Sequence, residues 1–501
     1  MRVPTPSAFG KVGARASPAT RVACAQVLGR ILEVELELAS SDSPGEKSSS
    51  KSLRFPLSYL RDNCASNFHP TTLQRLSGMN LASLLSRAES VWVSADKTHV
   101  LLKWEADDAE AESLPQNLAP ESSFSAGWLL RHSLEDADRT ARRNVDLRKI
   151  RGLTKEAFWA EVHADAFDFQ ELVRADAQGE SEVVRLFERV WLDGLAYVRN
   201  VDADVAAGAD AGGGAKTGTA LSTESIILSA ARGEKLVESL PQLDAETTVL
   251  PHLPLARLAQ RTGFLRSTNY GTVFEVCAQT QPNNQAYTSK ALGMHTDLPF
   301  YKRAPDIQML HCVRQACQGG ESRFVDGVAA AEMLRVKFPD SYEVLCKTKV
   351  RFSDSCAGRY ALVDEKCTIQ EENGFVTQVY YNEGVRCEYL DSLSVDEVDA
   401  FYLALARLRK IVEFEESLQI KMRMESNSMC IFNNCRVLHG RAAFTASAET
   451  TEGADANAFD GGGDSAVEGI RYLQGAYIEW DDVLSKIRVC RGTDTRVGHS
   501  D

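Results

Sequence analysis

Past residue 265 the chain is broken into short apolar runs of strand length, and this spacing restricts the available folds most. The runs are TVFEVCA (272–278), IQMLHCV (307–313), SRFVDG (322–327), VTQVYY (376–381), SMCIFNN (428–434) and YLQGAYIEW (472–480). Each is too short for a helix of ordinary length and is rich in β-branched, aromatic or large apolar residues, so each reads as a strand. Between them, two stretches near 328–348 and 395–415 carry helical spacing. Many short strands with a few covering helices predict a mainly β, double-sheet or barrel-like core.

Upstream, the pattern is also β. Leu28 to Leu38 alternates (LGRILEVELEL), and Val91 to Trp104 (VWVSADKTHVLLKW) reads as a hairpin turning at Ala95-Asp96-Lys97. We expect a small N-terminal β domain over 22–135 and a large β-rich domain over 150–495. Residues 135–195 shift to helical spacing, with Phe158, Val162, Phe167 and Val173 as expected buried positions. Three segments lack apolar periodicity: the Ser-rich run 40–52, the Ala/Gly-rich run 203–219, and 446–469, which holds six acids and no Lys or Arg. Such segments bury too little apolar area to offset their ordering entropy, so mobile linkers or insertions are expected there. The first 32 residues hold five Lys or Arg and no acid, which suits a transit peptide or a short disordered tail over 1–21. The expected compartment is the mitochondrial matrix or the cytoplasm.

Composition narrows the function. The 501 residues are 44% hydrophobic and 25% charged, which excludes collagen-like and wholly disordered chains. A net charge of −14 argues against nucleic acid or an anionic membrane surface as the main partner. No run approaches the roughly 18 apolar residues of a spanning helix. Twelve cysteines in this length are too dilute for a disulfide framework, so reduced thiols are expected.

The most informative motif is Gly293-Met294-His295-Thr296-Asp297. On a strand or its exit, residues i and i+2 point the same way, so His295 and Asp297 can face one cavity. An imidazole and a carboxylate so placed are two arms of a two-His-one-carboxylate triad, which leaves positions open on Fe(II). The third arm must be a distant histidine. His439, in IFNNCRVLHGR, follows His295 by 144 residues, enough chain for most of a β barrel between them. His311, inside an apolar run, reads instead as a core imidazole.

The stretches HTDLPF, IQMLHCV, GGESRFVDG, NNCRVLHGR and LQGAYIEWDDVLSKIRV, with LRFPLSYLRDNC upstream, resemble the γ-butyrobetaine dioxygenase and trimethyllysine dioxygenase family. The resemblance runs from about residue 53 to about 491 and is closer to the γ-butyrobetaine branch. It implies a double-stranded β-helix, a jelly-roll variant, with His295, Asp297 and His439 holding iron. It also implies 2-oxoglutarate and O₂ as cosubstrates, with ascorbate as a helper. Arg471 (RYLQGAY) matches the arginine that takes the far carboxylate of 2-oxoglutarate, for which a planar guanidinium is suited. It lies 32 residues past His439, an excess that the acidic run 446–469 accounts for, and Arg441 is its rival.

A trimethylammonium substrate has no N–H to donate and is recognised mainly through aromatic faces. Tyr270, Phe274, Tyr287 and Tyr477 match the family's ammonium cage, although Phe274 stands where γ-butyrobetaine enzymes carry tryptophan. Asn284 matches an asparagine placed near the substrate carboxylate. The family's N-terminal zinc site is expected to be absent. Cys64 is kept, Ser66 replaces a cysteine, His69 could substitute for another, and Pro120 stands where the closing histidine would fall, whereas a structural zinc needs four ligands. The expected activity is hydroxylation of γ-butyrobetaine to L-carnitine. Trimethyllysine or another substrate is the alternative, and a catalytically dead binding module is the alternative outside enzymes. Oligomeric state stays open, with a homodimer among the options.

Overall fold

The computed structural model describes residues 20–38, 49–68, 87–105, 119–135, 166–201, 253–278, 285–315, 318–445 and 471–491. Phe158, Val162, His69, Asn284 and the runs 203–219 and 446–469 lie outside the described residues, as do the first 19. The chain divides into two compact units, Met1–Arg148 with Arg491–Asp501, and Lys149–Cys490.

The first unit holds two antiparallel three-stranded sheets. One is Arg21–Leu28, Ile31–Leu38 and Ser49–Pro56; the other is Ala88–Val93, His99–Trp104 and Glu121–Ser125. On Ile31–Leu38, Leu32, Val34 and Leu36 point inward and the intervening glutamates outward, as a one-sided sheet requires. The two sheets share a core with Phe55, Trp104, Phe124 and Trp128. Two expectations need correction. The alternation of 28–38 is not one strand, because Gly29, at φ +65°, turns the chain between two strands. Ser49–Ser52 is strand rather than linker, since its backbone pairs with Glu35–Leu38 whatever its side chains bury. The hairpin at Ala95-Asp96-Lys97 forms, with Lys97 at φ +61°.

Cys64 in this unit is buried, with Sγ 3.1 Å from Ser66 Oγ. Beyond Trp128 stands a further histidine. His132 stacks on the Trp128 ring at 4.1 Å.

The second unit is built on two sheets. Six strands lie in the spatial order Phe167–Asp168, Leu195–Arg199, Ser428–Asn433, Ile307–Arg314, Tyr472–Ile478 and Val273–Cys277. Four more lie in the order Leu292–His295, Val437–Arg441, Ser322–Asp326 and Ile420–Met422. The pleat explains why the runs read as continuously apolar. On Ser428–Asn433, Cys430 and Phe432 meet Phe324, Ile420 and Val437 between the sheets, while Met429 and Ile431 face a helical layer. A strand covered on both faces needs no polar alternation.

That layer includes the helix Ala177–Asp193, whose Val183, Leu186, Phe187 and Val190 form one buried stripe. Asp176 caps its start by accepting the Gly179 N–H at 2.9 Å, and Gly194 ends it in the left-handed conformation. Helices Gly327–Lys337, Pro339–Lys347 and Val395–Phe414 pack into a further core with two hairpins, Lys349–Cys356 with Tyr360–Cys367 and Ile369–Glu372 with Phe375–Val379. No described helix is long and apolar enough to cross a membrane.

Candidate metal centre and substrate cavity

The strand Leu292–His295 pairs antiparallel with Val437–Arg441, and His295 falls directly opposite His439. One cross-strand register thus closes the long sequence gap and sets two imidazoles on the same face, with ring centroids 4.2 Å apart. Asp297, two residues on, brings Oδ1 to 3.3 Å from His295 Nε2 and 3.9 Å from His439 Nε2. The three side chains offer ligand atoms within 4.8 Å of one another.

The neighbours hold this geometry. His295 Nδ1 donates to the Gly293 carbonyl at 2.9 Å, which turns Nε2 toward the carboxylate. Asn434 grips the backbone of Asp297 from both sides, accepting its N–H at 2.7 Å and donating to its carbonyl at 3.0 Å. Leu298, at φ +56°, then turns the chain away. The Tyr477 hydroxyl donates to Asp297 Oδ2 at 2.7 Å.

Burial opposes the Asp297 charge, but His439, His295 and the Tyr477 hydroxyl outweigh it and hold the carboxyl far below its usual range. Burial, reinforced by the charge of His295, pushes the His439 imidazole down to about 3. The Asp297 carboxylate and the neutral His439 ring are the states a metal requires. At His295 burial opposes the charge, but Asp297 outweighs it and raises the pKa, so a metal binding there displaces a proton. Two imidazole nitrogens and one carboxylate oxygen suit Fe(II) with positions to spare, so the residues fit that ion.

Arg471 opens the strand Tyr472–Ile478 and is 4% exposed. Its guanidinium makes no hydrogen bond or ion pair with any described residue; it lies 5.9 Å from the Phe444 ring, and its Nε is buried without a partner. Burial lowers its pKa, the mark of a charge held without compensation. An incoming carboxylate would remove that cost, so the residues also fit 2-oxoglutarate. Arg441 is different. It donates to the carbonyls of Ala286, Thr288 and Lys290 at 3.1, 2.6 and 2.8 Å, tying down the segment that carries Tyr287.

The metal cluster borders a cavity of about 430 Å³ lined by Tyr270, Phe274, Tyr287, His295, Asp297 and Tyr477. All four aromatic residues expected from the sequence therefore line one cavity with two members of the cluster. Phe274 stacks on Tyr477 at 5.2 Å and lies 6.4 Å from Tyr270. Burial pushes the Tyr287 hydroxyl up to about 12, so the ring stays neutral. Asn284 lies outside the described residues, and His311 is a core residue apart from the cluster. Sequence reasoning missed Asp354, Glu383, Arg409 and Glu413, which also line the cavity. No motif marks them, and only the folded chain brings them there.

A two-sheet β core with paired imidazoles on its smaller sheet and a carboxylate two residues past the strand end defines a jelly-roll protein with a candidate non-haem metal centre. Residues 244–453 match the family described as taurine catabolism dioxygenase TauD, TfdA family. It is 30% identical over 245 residues to γ-butyrobetaine dioxygenase of Homo sapiens, covering 47% of this chain and 57% of that one. It is 32% identical over 239 residues to γ-butyrobetaine dioxygenase of Pseudomonas sp. (strain AK-1), covering 47% and 55%. Mitochondrial trimethyllysine dioxygenase of Gallus gallus is 24% identical over 444 residues, covering 87% of this chain and 83% of that one. The chain thus spans a little over half the length of the two γ-butyrobetaine relatives.

Proposed function

We propose that this protein is an Fe(II)- and 2-oxoglutarate-dependent hydroxylase that converts γ-butyrobetaine to L-carnitine. His295, Asp297 and His439 hold the iron and Arg471 takes the far carboxylate of 2-oxoglutarate. The chemistry supplied by bound Fe(II) with 2-oxoglutarate and O₂ is hydroxylation of an unactivated C–H bond, with release of succinate and CO₂. The chain itself orients the substrate. Tyr270, Phe274, Tyr287 and Tyr477 offer ring faces to a trimethylammonium group, and the cavity volume lies within the range of small-ligand sites, about 300–1,000 Å³.

The observation that carries the reading is Tyr477. Its ring stacks on Phe274 in the aromatic wall, while its hydroxyl bonds to the ligand Asp297. One residue thus ties the expected ammonium site to the metal site. Trimethyllysine is the second reading, favoured by the longer span shared with trimethyllysine dioxygenases. A matrix location is supported by the Arg-rich, acid-free opening of the chain and by those relatives' mitochondrial names. The test is succinate release with Fe(II), 2-oxoglutarate and ascorbate across γ-butyrobetaine, trimethyllysine and other trimethylammonium compounds. Turnover highest with γ-butyrobetaine is expected. Succinate release indifferent to every trimethylammonium compound would overturn the substrate assignment.

A further inference from the structure

Asp354 lies on the strand Lys349–Cys356 and forms part of the cavity wall beside Tyr270. Its Oδ2 accepts from Asn269 Nδ2 at 3.1 Å, the Tyr270 hydroxyl at 3.2 Å and the Tyr360 hydroxyl at 3.3 Å. Its Oδ1 accepts from none of the described residues. The carboxylate is therefore fixed through one oxygen and, among the described residues, leaves the other unengaged.

The other acids on the wall are spoken for. Asp297 gives Oδ2 to Tyr477 and turns Oδ1 to the two imidazoles. Glu383 gives both oxygens to Arg386, at 3.0 and 2.9 Å. Glu413 accepts the Met294 N–H at 2.8 Å and pairs with Arg323 at 3.2 Å. Arg409 shares the wall but makes no ion pair among the described residues, so it does not neutralise Asp354.

We propose that Asp354 is a specificity-determining residue whose free Oδ1 is the formal counter-charge for the cationic end of the substrate, acting beside the ring faces of Tyr270 and Phe274. This rests on the function proposed above and adds to it, because ring faces alone attract a cation only through their quadrupole. A carboxylate adds a full Coulomb attraction, which a partly desolvated cavity screens less than water does. Preference for a cation over a neutral molecule of the same shape should then depend on Asp354 more than on any single ring.

The experiment measures binding of γ-butyrobetaine and of 5,5-dimethylhexanoate, its neutral tert-butyl isostere, to the metal-free full-length chain by calorimetric titration. The wild type should prefer the cation by about tenfold or more. Asp354→Asn should cut the preference to about two- to fivefold, the residue left by the rings, and Asp354→Glu should restore most of it. Where Asp354→Asn does not melt cooperatively, Asp354→Ser, which leaves room for water beside Asn269, Tyr270 and Tyr360, serves in its place. A preference unchanged in the neutral variant would overturn the proposal, as would a wild type that binds neither ligand or does not distinguish them. Binding here needs neither iron nor turnover. Failure of succinate release would therefore count against the hydroxylase reading alone, and an unchanged preference with succinate release intact against Asp354 alone.

Discussion

Two arginines share one neighbourhood, and the difference in their partners separates their roles. Arg441 satisfies three backbone carbonyls, whereas Arg471 is buried with no partner among the described residues. Arg471→Ala should raise KM for 2-oxoglutarate by the loss of a charged pair worth about 2–3 kcal/mol, or roughly 30- to 150-fold. Arg441→Ala should instead lower stability by about 1–3 kcal/mol through the carbonyls it orphans, with a smaller change in KM. Steady-state kinetics and melting curves on the two variants check this, and the reverse order would contradict it.

The imidazoles give a pH signature. His439 is pushed down to about 3 in the fold, against about 6.5 in an unfolded chain. Its burial as a neutral ring is therefore fully tolerated above about pH 6.5, and stability is lost as pH falls from there toward 3. Metal-free wild type should lose melting temperature more steeply than His439→Gln between about pH 6.5 and 4. Parallel curves would show that His439 is not the buried neutral ring described above.

Among single residues, His295, Asp297, His439 and Arg471 were legible because they stand in dense local motifs. Asp354 was not. A lone aspartate on a half-exposed strand carries no signal until the fold brings it to Tyr270, 84 residues upstream.

Among elements, legibility followed burial. Strands covered on both faces, such as Ile307–Arg314 and Ser428–Asn433, announce themselves as apolar runs. The hairpin Lys349–Cys356 with Tyr360–Cys367 went unread because it interleaves exposed charged positions with buried ones and leans on helices for its core. The run 431–441 spans parts of two strands, with a turn between them that buries Asn434 and Arg436. Each has a task. Arg436 pairs with Asp326 at 2.7 Å, and Asp326 also caps the helix Gly327–Lys337. Asn434 clamps Asp297.

Removing that clamp should let the Asp297 segment relax out of the ligand geometry. Asn434→Ala should weaken metal affinity about 10- to 100-fold, the usual cost of losing an orienting partner. Titration with Co(II), followed by its visible absorption, is the check; unchanged affinity would show that Leu298 and Tyr477 suffice to hold Asp297.

A close approach between neighbouring strands makes a second, independent demand. Gly475 lies opposite Phe274, and a Cβ there would sit 2.1 Å from the Phe274 ring. Gly475→Ala should therefore displace Phe274 from the aromatic wall and raise KM for γ-butyrobetaine by roughly 2- to 30-fold, as lost cation–π contact implies. A KM unchanged in a folded variant would remove Phe274 from the substrate's surroundings.

For the whole molecule, each unit has its own hydrophobic core, and the candidate metal residues all lie in the unit Lys149–Cys490. A metal that binds the folded state alone raises the stability of the unit that holds it. Calorimetric scans with and without Co(II) should therefore shift the transition of that unit. The most direct test of the central claim is anaerobic loading of full-length wild type and His439→Ala with Fe(II), followed by 2-oxoglutarate, γ-butyrobetaine and O₂, with succinate measured. The wild type should release succinate in step with hydroxylated product. His439→Ala, confirmed as folded by its melting curve, should release almost none, because two arms do not hold a labile Fe(II). Near wild-type succinate from His439→Ala would contradict the assignment of His295, Asp297 and His439 as the metal centre.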